Sequence, residues 1–249
     1  VSKQELSIDV TANFARQAYG NNLTYTNTPT YTHCVSVARL SEQIAHKLFR
    51  DMRPDAVPQD VNDIITSIVH ASMLSEIINT GRVTFEQIAD VANVQIAAMV
   101  ANLSRDLRLV ETKRDIEYRG RLSTSPLATQ IVAVGAIICT AQETVRLLNT
   151  EAIVVIPKAR KILTQLDGDL LCAHAATRYY TLRLYVHAAR NLINDANQII
   201  KKIKTEARAA RNAAKLNANV CSRIAAKTKN NSQTEEKPDD RKRNKRNKG

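Results

Sequence analysis

Two imidazoles stand in stretches whose apolar spacing reads as helix. They are His33, four residues after Pro29 in PTYTHCVSVA, and His70, inside Ile64 to Glu76, IITSIVHASMLSE. Imidazole nitrogens bind divalent metals or carry protons near neutral pH. A hard cation also needs anionic oxygens, which offset its desolvation and lower the pKa of a bound water. Directly after His70 comes Ala71, a turn later come Leu74 and Ser75, and the first acid is Glu76. Two neutral imidazoles alone make a poor site for such an ion. The plainer reading is a pair of interior histidines held by hydrogen bonds.

Other chemistry is thin. There is no G-x-S-x-G, no phosphate-binding Walker loop, no G-x-G-x-x-G and no H-E-x-x-H, and Ser123 and Ser125 have no histidine beside them. Cys34, Cys139, Cys172 and Cys221 lie far apart with no C-x-x-C pair, so reduced buried thiols are expected rather than a disulfide framework or a zinc module. Tyr179, Tyr180 and Tyr185 could stack on a base, but their spacing points them in several directions and they read as core and rim packing. His46, His174 and His187 read as helix-surface or half-buried residues.

The elements that would position the two histidines are mostly helical. The chain has 249 residues with only 6 Gly and 6 Pro, enough for one sizeable helical domain and an appendage. Residues 5–19 have helical spacing, with Ser7, Asp9 and Thr11 as possible caps, and 20–32 form a loop. Helices follow at about 34–50 and through the His70 stretch, where Asp60 can cap. Thr84 with Gln87 has the capping-box pattern, and VQIAAMVANLSRD is the next helix. Residues 104–124 are charged and read as partly irregular, and Leu127 to Leu148 reads as a second buried helix. Further helices are expected at 157–167 and 170–204, the last running on through alanine-rich residues whose stripe weakens beyond Ile203. No run reaches 18 apolar residues.

Charge is unevenly placed. The net charge is +12, yet residues 201–249 carry 16 Lys and Arg against 5 acids, while the first 200 carry 20 against 19. The terminal cations Arg241, Lys242, Arg243, Lys245, Arg246 and Lys248 could engage nucleic acid or another acidic partner through charge and counterion release, or simply keep the tail solvated.

The order of these pieces resembles the HD-domain hydrolases of the RelA/SpoT type, most closely the short single-domain alarmone hydrolases. FARQAY, a loop and PTYTHCVSVA look like the opening helix, loop and P-x-x-x-H turn. IVHASMLSEI lies where the HDxxED helix belongs, and GRVTFEQIADVANVQIAAMVANLSRD resembles the segment after it. RLSTSPLATQIVAVGAIICTAQETVRLL fits the region that ends in the K-L-A-D-x-x-x-N helix. The resemblance implies a divalent ion held by two histidines and two aspartates, with a Glu-Asp pair handling the attacking water. Here His33 and His70 match the histidines, but Ala71 and Ala136 stand at the aspartates, Leu74 and Ser75 at the acidic pair, and Thr140 at the asparagine. The loop NNLTYTNT lacks the lysines and arginines that would face a nucleotide.

The resulting expectation is an all-α, HD-domain-like bundle over residues 1–200, a basic helical extension over 201–227 and a disordered basic tail over 228–249. Its function is read as that of a catalytically degenerate HD-domain pseudoenzyme, acting inside the cell as a binding or scaffold protein without a cofactor. A protein partner would meet the C-terminal amphipathic helix, and a nucleotide could still enter the vestigial cleft. Two alternatives stand beside it: an active, Mn2+-dependent hydrolase of ppGpp or a related nucleotide, and a component of a nucleic-acid assembly held by the tail.

Overall fold

A computed structural model describes residues 7–52, 58, 60–176 and 179–234. The chain divides into two compact units, Val1–Lys201 and Lys202–Gly249. Among the described residues there are nine α-helices and no strand beyond an isolated bridge between Leu23 and Pro29. The helices are α1 (Ile8–Tyr19), α2 (Thr30–Asp51), α3 (Val61–Met73), α4 (Phe85–Val91), α5 (Val94–Leu103), α6 (Glu111–Thr124), α7 (Leu127–Glu151), α8 (Ile156–Ala176) and α9 (Tyr180–Thr234).

In the first unit α2, α3 and α7 pack on one another, with α1 against α3 and α2, α5 against α3 and α7, and α8 against α7 and α6. The apolar side chains of α7, Ile131, Val134 and Ile138 among them, are buried around a helix, as its sequence suggested. Helix α7 and the stretch 61–80 are long and apolar enough to cross a membrane by length and composition, although neither was a run of 18 apolar residues. Most of α7 is instead buried inside the bundle. Gly135 lets α7 approach α2 closely, since a Cβ there would stand 2.4 Å from the Ser41 hydroxyl oxygen.

Local signals set several ends. The Thr84 hydroxyl accepts from the Gln87 amide and the Gln87 side chain accepts from the Thr84 amide, so the capping box forms as expected. Asp60 precedes α3 but makes no side-chain cap, and Thr11 turns inward instead of capping α1. Helix α3 stops at Met73, short of Glu76. There the Tyr19 hydroxyl donates to the Met73 carbonyl at 3.0 Å and accepts from the Glu76 amide at 3.3 Å, giving two free backbone groups a partner from α1.

One expectation holds in part and one is corrected. Residues 104–110 are irregular, while 111–124 form a helix, where Asp115 and Arg119 find partners outside it. Arg105 binds Asp115 at 2.5 Å and also Asp169, Arg119 binds Asp169 at 3.2 Å, and the Arg105 guanidinium lies 4.0 Å from the Tyr118 ring centre. Helix α8 passes straight through Gly168, where a break was expected; the Arg119 guanidinium fills the space a Cβ would take. The following helix therefore begins at Tyr180 instead of 170. Its first part buries Leu182, Val186, Ala189, Ile193, Ala196 and Ile200, a four-three alternation that makes one continuous apolar face. Thr181 donates to Asp51 at 2.8 Å and Lys47 lies over the Tyr185 ring, which ties this part to α2. Tyr180 is exposed, so the three tyrosines share no platform.

The second unit, taken alone, continues α9 to Thr234, past residue 228 where the tail was expected to begin. The rest of the tail, 235–249, lies outside the described residues.

Candidate functional site

Pro29 fixes the start of α2, and its carbonyl accepts from the His33 amide at 3.0 Å, so His33 occupies the first turn of the helix. The ring is buried. Its Nδ1 lies 2.9 Å from Oε1 of Glu143, which α7 presents from the other side. The second carboxylate oxygen accepts from the Thr26 hydroxyl, in the loop between α1 and α2. That loop is tied by Thr24, Thr26 and Thr28 to one another and turns at Asn27, which has φ 63°. At its tip Lys158 of α8 donates to Asn27 at 2.9 Å, so a cation reaches the loop from a distant element.

Burial alone would lower the His33 pKa, but the hydrogen bond and the charge of Glu143, with help from Glu76, outweigh it and raise it. Burial would raise the Glu143 pKa, and its bonds to His33, Thr26 and Thr28 instead hold it down. Each group thus favours the charged form of the other. In this order the carboxylate sits between hydroxyl and imidazole. A nucleophile-activating triad needs the imidazole in the middle, so Thr26 is not activated.

His70 is separate. Its Nδ1 lies 2.7 Å from the Thr11 hydroxyl and its buried Nε2 has no partner among the described residues. Burial lowers its pKa, which keeps the ring neutral. A neutral ring with the proton on Nδ1 would donate to Thr11 and leave only a lone pair unmet, the less costly arrangement. Among the described residues none bonds both histidines.

The remaining positions carry no anion. Ala71 and Leu74 are fully buried, and Ser75 donates to the Ser72 carbonyl at 2.9 Å. Ala136 and Thr140 are half-buried, and the Thr140 hydroxyl donates to the Ala136 carbonyl at 2.9 Å. Glu76 accepts from Asn79 at 2.7 Å and reaches His33 only through space. Among the described residues no group of three or more His, Cys, Asp or Glu gathers as a metal site. The donor set does not fit an ion held by two imidazoles and two carboxylates. The terminal Arg241, Lys242, Arg243, Lys245, Arg246 and Lys248 lie outside the described residues.

Glu143 is the site residue that motif positions did not point to. It had a signal, being the only acid between Leu127 and Leu148, a stretch otherwise apolar or neutral apart from Arg146. A shallow cavity opens beside it, walled by Ser36, Cys139, Gln142, Glu143 and Arg146. The Cys139 thiol there is pushed up to about 12 by burial and the Glu143 charge, so it is inert packing.

No protein-family model matches the chain, and no curated protein matches it. Among solved structures it is similar to a metazoan ortholog of SpoT that hydrolyzes ppGpp and plays a role in starvation responses. The TM-score is 0.56 and the identity 10%, over 74% of this chain and 94% of that one. The fold is thus the all-α HD-domain fold of such a hydrolase.

Proposed function

We propose that this chain keeps the HD-domain fold as a binding or scaffold protein and has lost metal-dependent hydrolysis. The observation that carries this reading is the burial of Ala71 and Leu74 beside His70, a ring whose partner among the described residues is the Thr11 hydroxyl and no carboxylate. Both Glu143 oxygens are taken up by His33 and Thr26, so this acid orients the ring and leaves no carboxylate of its own for a cation. Around His70 the methyl of Ala71 and the side chain of Leu74 supply packing where ligands would be needed. The fold then serves through its surfaces, including α9.

A second reading has one observation in its favour. Glu143 touches His33 and Glu76 acts on it through space, so two acids stand near one imidazole, and a hydrolase of ppGpp or a related nucleotide could draw on them. Measurement of bound manganese, cobalt and iron in the purified protein, with pyrophosphate release from ppGpp in Mn2+, separates the two. The first reading expects substoichiometric metal and no release above blank. Stoichiometric metal with Mn2+-dependent release, both lost in Glu143→Gln, would establish the second.

A further inference from the structure

We propose that one face of α9 in the second unit binds the phosphate backbone of a nucleic acid without reading its bases. Lys204, Arg208, Arg211 and Lys215 follow one another at four, three and four residues, and all four are exposed. At about 100° and 1.5 Å per residue, they stay within an arc of about 60° and span about 16 Å of helix. Among the described residues none of the four is paired with a carboxylate. Glu206, the only acid between 202 and 224, falls on the opposite side of the helix.

Four unpaired cations in one line repel each other, and a ligand that is itself a line of anions relieves this. A nucleic acid strand offers about one phosphate per 3.4 Å of duplex axis, so the stripe faces four or five of them, roughly one per side chain. The two arginines can bind phosphate oxygens in pairs. Residues 202–224 contain no aromatic side chain, so bases have nothing to stack on.

The neighbouring face argues against other anionic partners. Beside the cations run Ala207, Ala210 and Ala214, whose methyls offer little of the buried area that anchors a protein interface. A second copy of the helix would bring like charges together. Leu216 and Val220 are exposed, at 65% and 47%, but about 110° and 150° around the helix from the middle of the stripe. They would not share a lipid surface with these cations.

The test uses the full chain and a labelled mixed-sequence DNA duplex of about 20 base pairs, with anisotropy read from about 50 to 200 mM salt. Four phosphate contacts contribute about −3.6 to the slope of log K against log salt, equivalent to about 150-fold weaker binding across that range. Replacing all four cations by glutamine should remove that share. The terminal RKRNKRNK is present in both proteins and cancels. Glutamine is a good helix former, and circular dichroism checks that the helix remains. If it does not, Arg208→Gln with Arg211→Gln should remove about half of the slope. Scrambling the duplex should change affinity by no more than about twofold. An unchanged slope in the variants overturns the proposal. So does binding to phosphatidylserine vesicles by a protein that ignores the duplex.

Discussion

His33 and Glu143, 110 residues apart in sequence, meet at 2.9 Å with side chains only 5% and 6% exposed. Both pKa values move toward the charged forms, so each contributes stability over its own pH window. The His33 contribution is complete below the unfolded value, about 6.5, and is lost as pH rises through the raised folded value. The Glu143 contribution is present above the unfolded value and is lost as pH falls through the depressed folded one. Glu143→Gln should therefore flatten the stability profile at both ends and cost about 3 kcal/mol in urea unfolding near pH 6. NMR titration should show His33 moving down. A variant profile that overlays the parent would rule the pair out as an ionic one.

Thr11 and His70 behave in the opposite sense. His70 is lowered by burial, so the unfolded chain takes up a proton first and stability falls as pH drops below about 6.5. Thr11→Val leaves a buried ring nitrogen unmet and should cost about 1–3 kcal/mol. His70→Leu removes the other partner, and Thr11→Val with His70→Leu should cost clearly less than the sum of the single changes. Strict additivity in that cycle would mean that the 2.7 Å contact carries no energy.

Gly135→Ala places a methyl 2.4 Å from the Ser41 hydroxyl oxygen but 3.6 Å from the Ser41 Cβ. Overpacking of this kind should lower stability by about 1–3 kcal/mol. The Ser41 hydroxyl has no partner among the described residues, so Ser41→Ala alone should be near neutral. Combined with Gly135→Ala it should restore most of the loss, leaving ordinary contact. Melting curves of the four proteins decide this, and no recovery in the double variant would place the crowding elsewhere.

Signals that act over one turn were legible in the sequence: the Thr84 and Gln87 box, and the periodicity of 127–148. So was the absence of carboxylates at Ala71 and Ala136. What escaped depended on distant partners. Polarity left open where in 104–124 the irregular part ends and the helix begins, because the Asp169 that neutralises Arg105 and Arg119 lies on α8. Gly168 looked like a stop because the guanidinium that occupies its missing side chain comes from α6. The early end of α3 was invisible because Tyr19 of α1 holds it. Glu143 escaped because motif spacing directs attention to Ala136 and Thr140, while the acid that meets His33 lies less than one turn beyond.

The Thr26–Glu143–His33 cluster also imposes a schedule on biosynthesis. The loop and the first turn of α2 leave the ribosome before α7, and the acid that completes them comes 110 residues after His33. At roughly 5–20 residues per second that delay is about 6–22 s. Throughout it the nascent histidine titrates as a solvated base, and the hydroxyls of the loop bond to water. Only the emergence of α7 converts this half-made segment into interior.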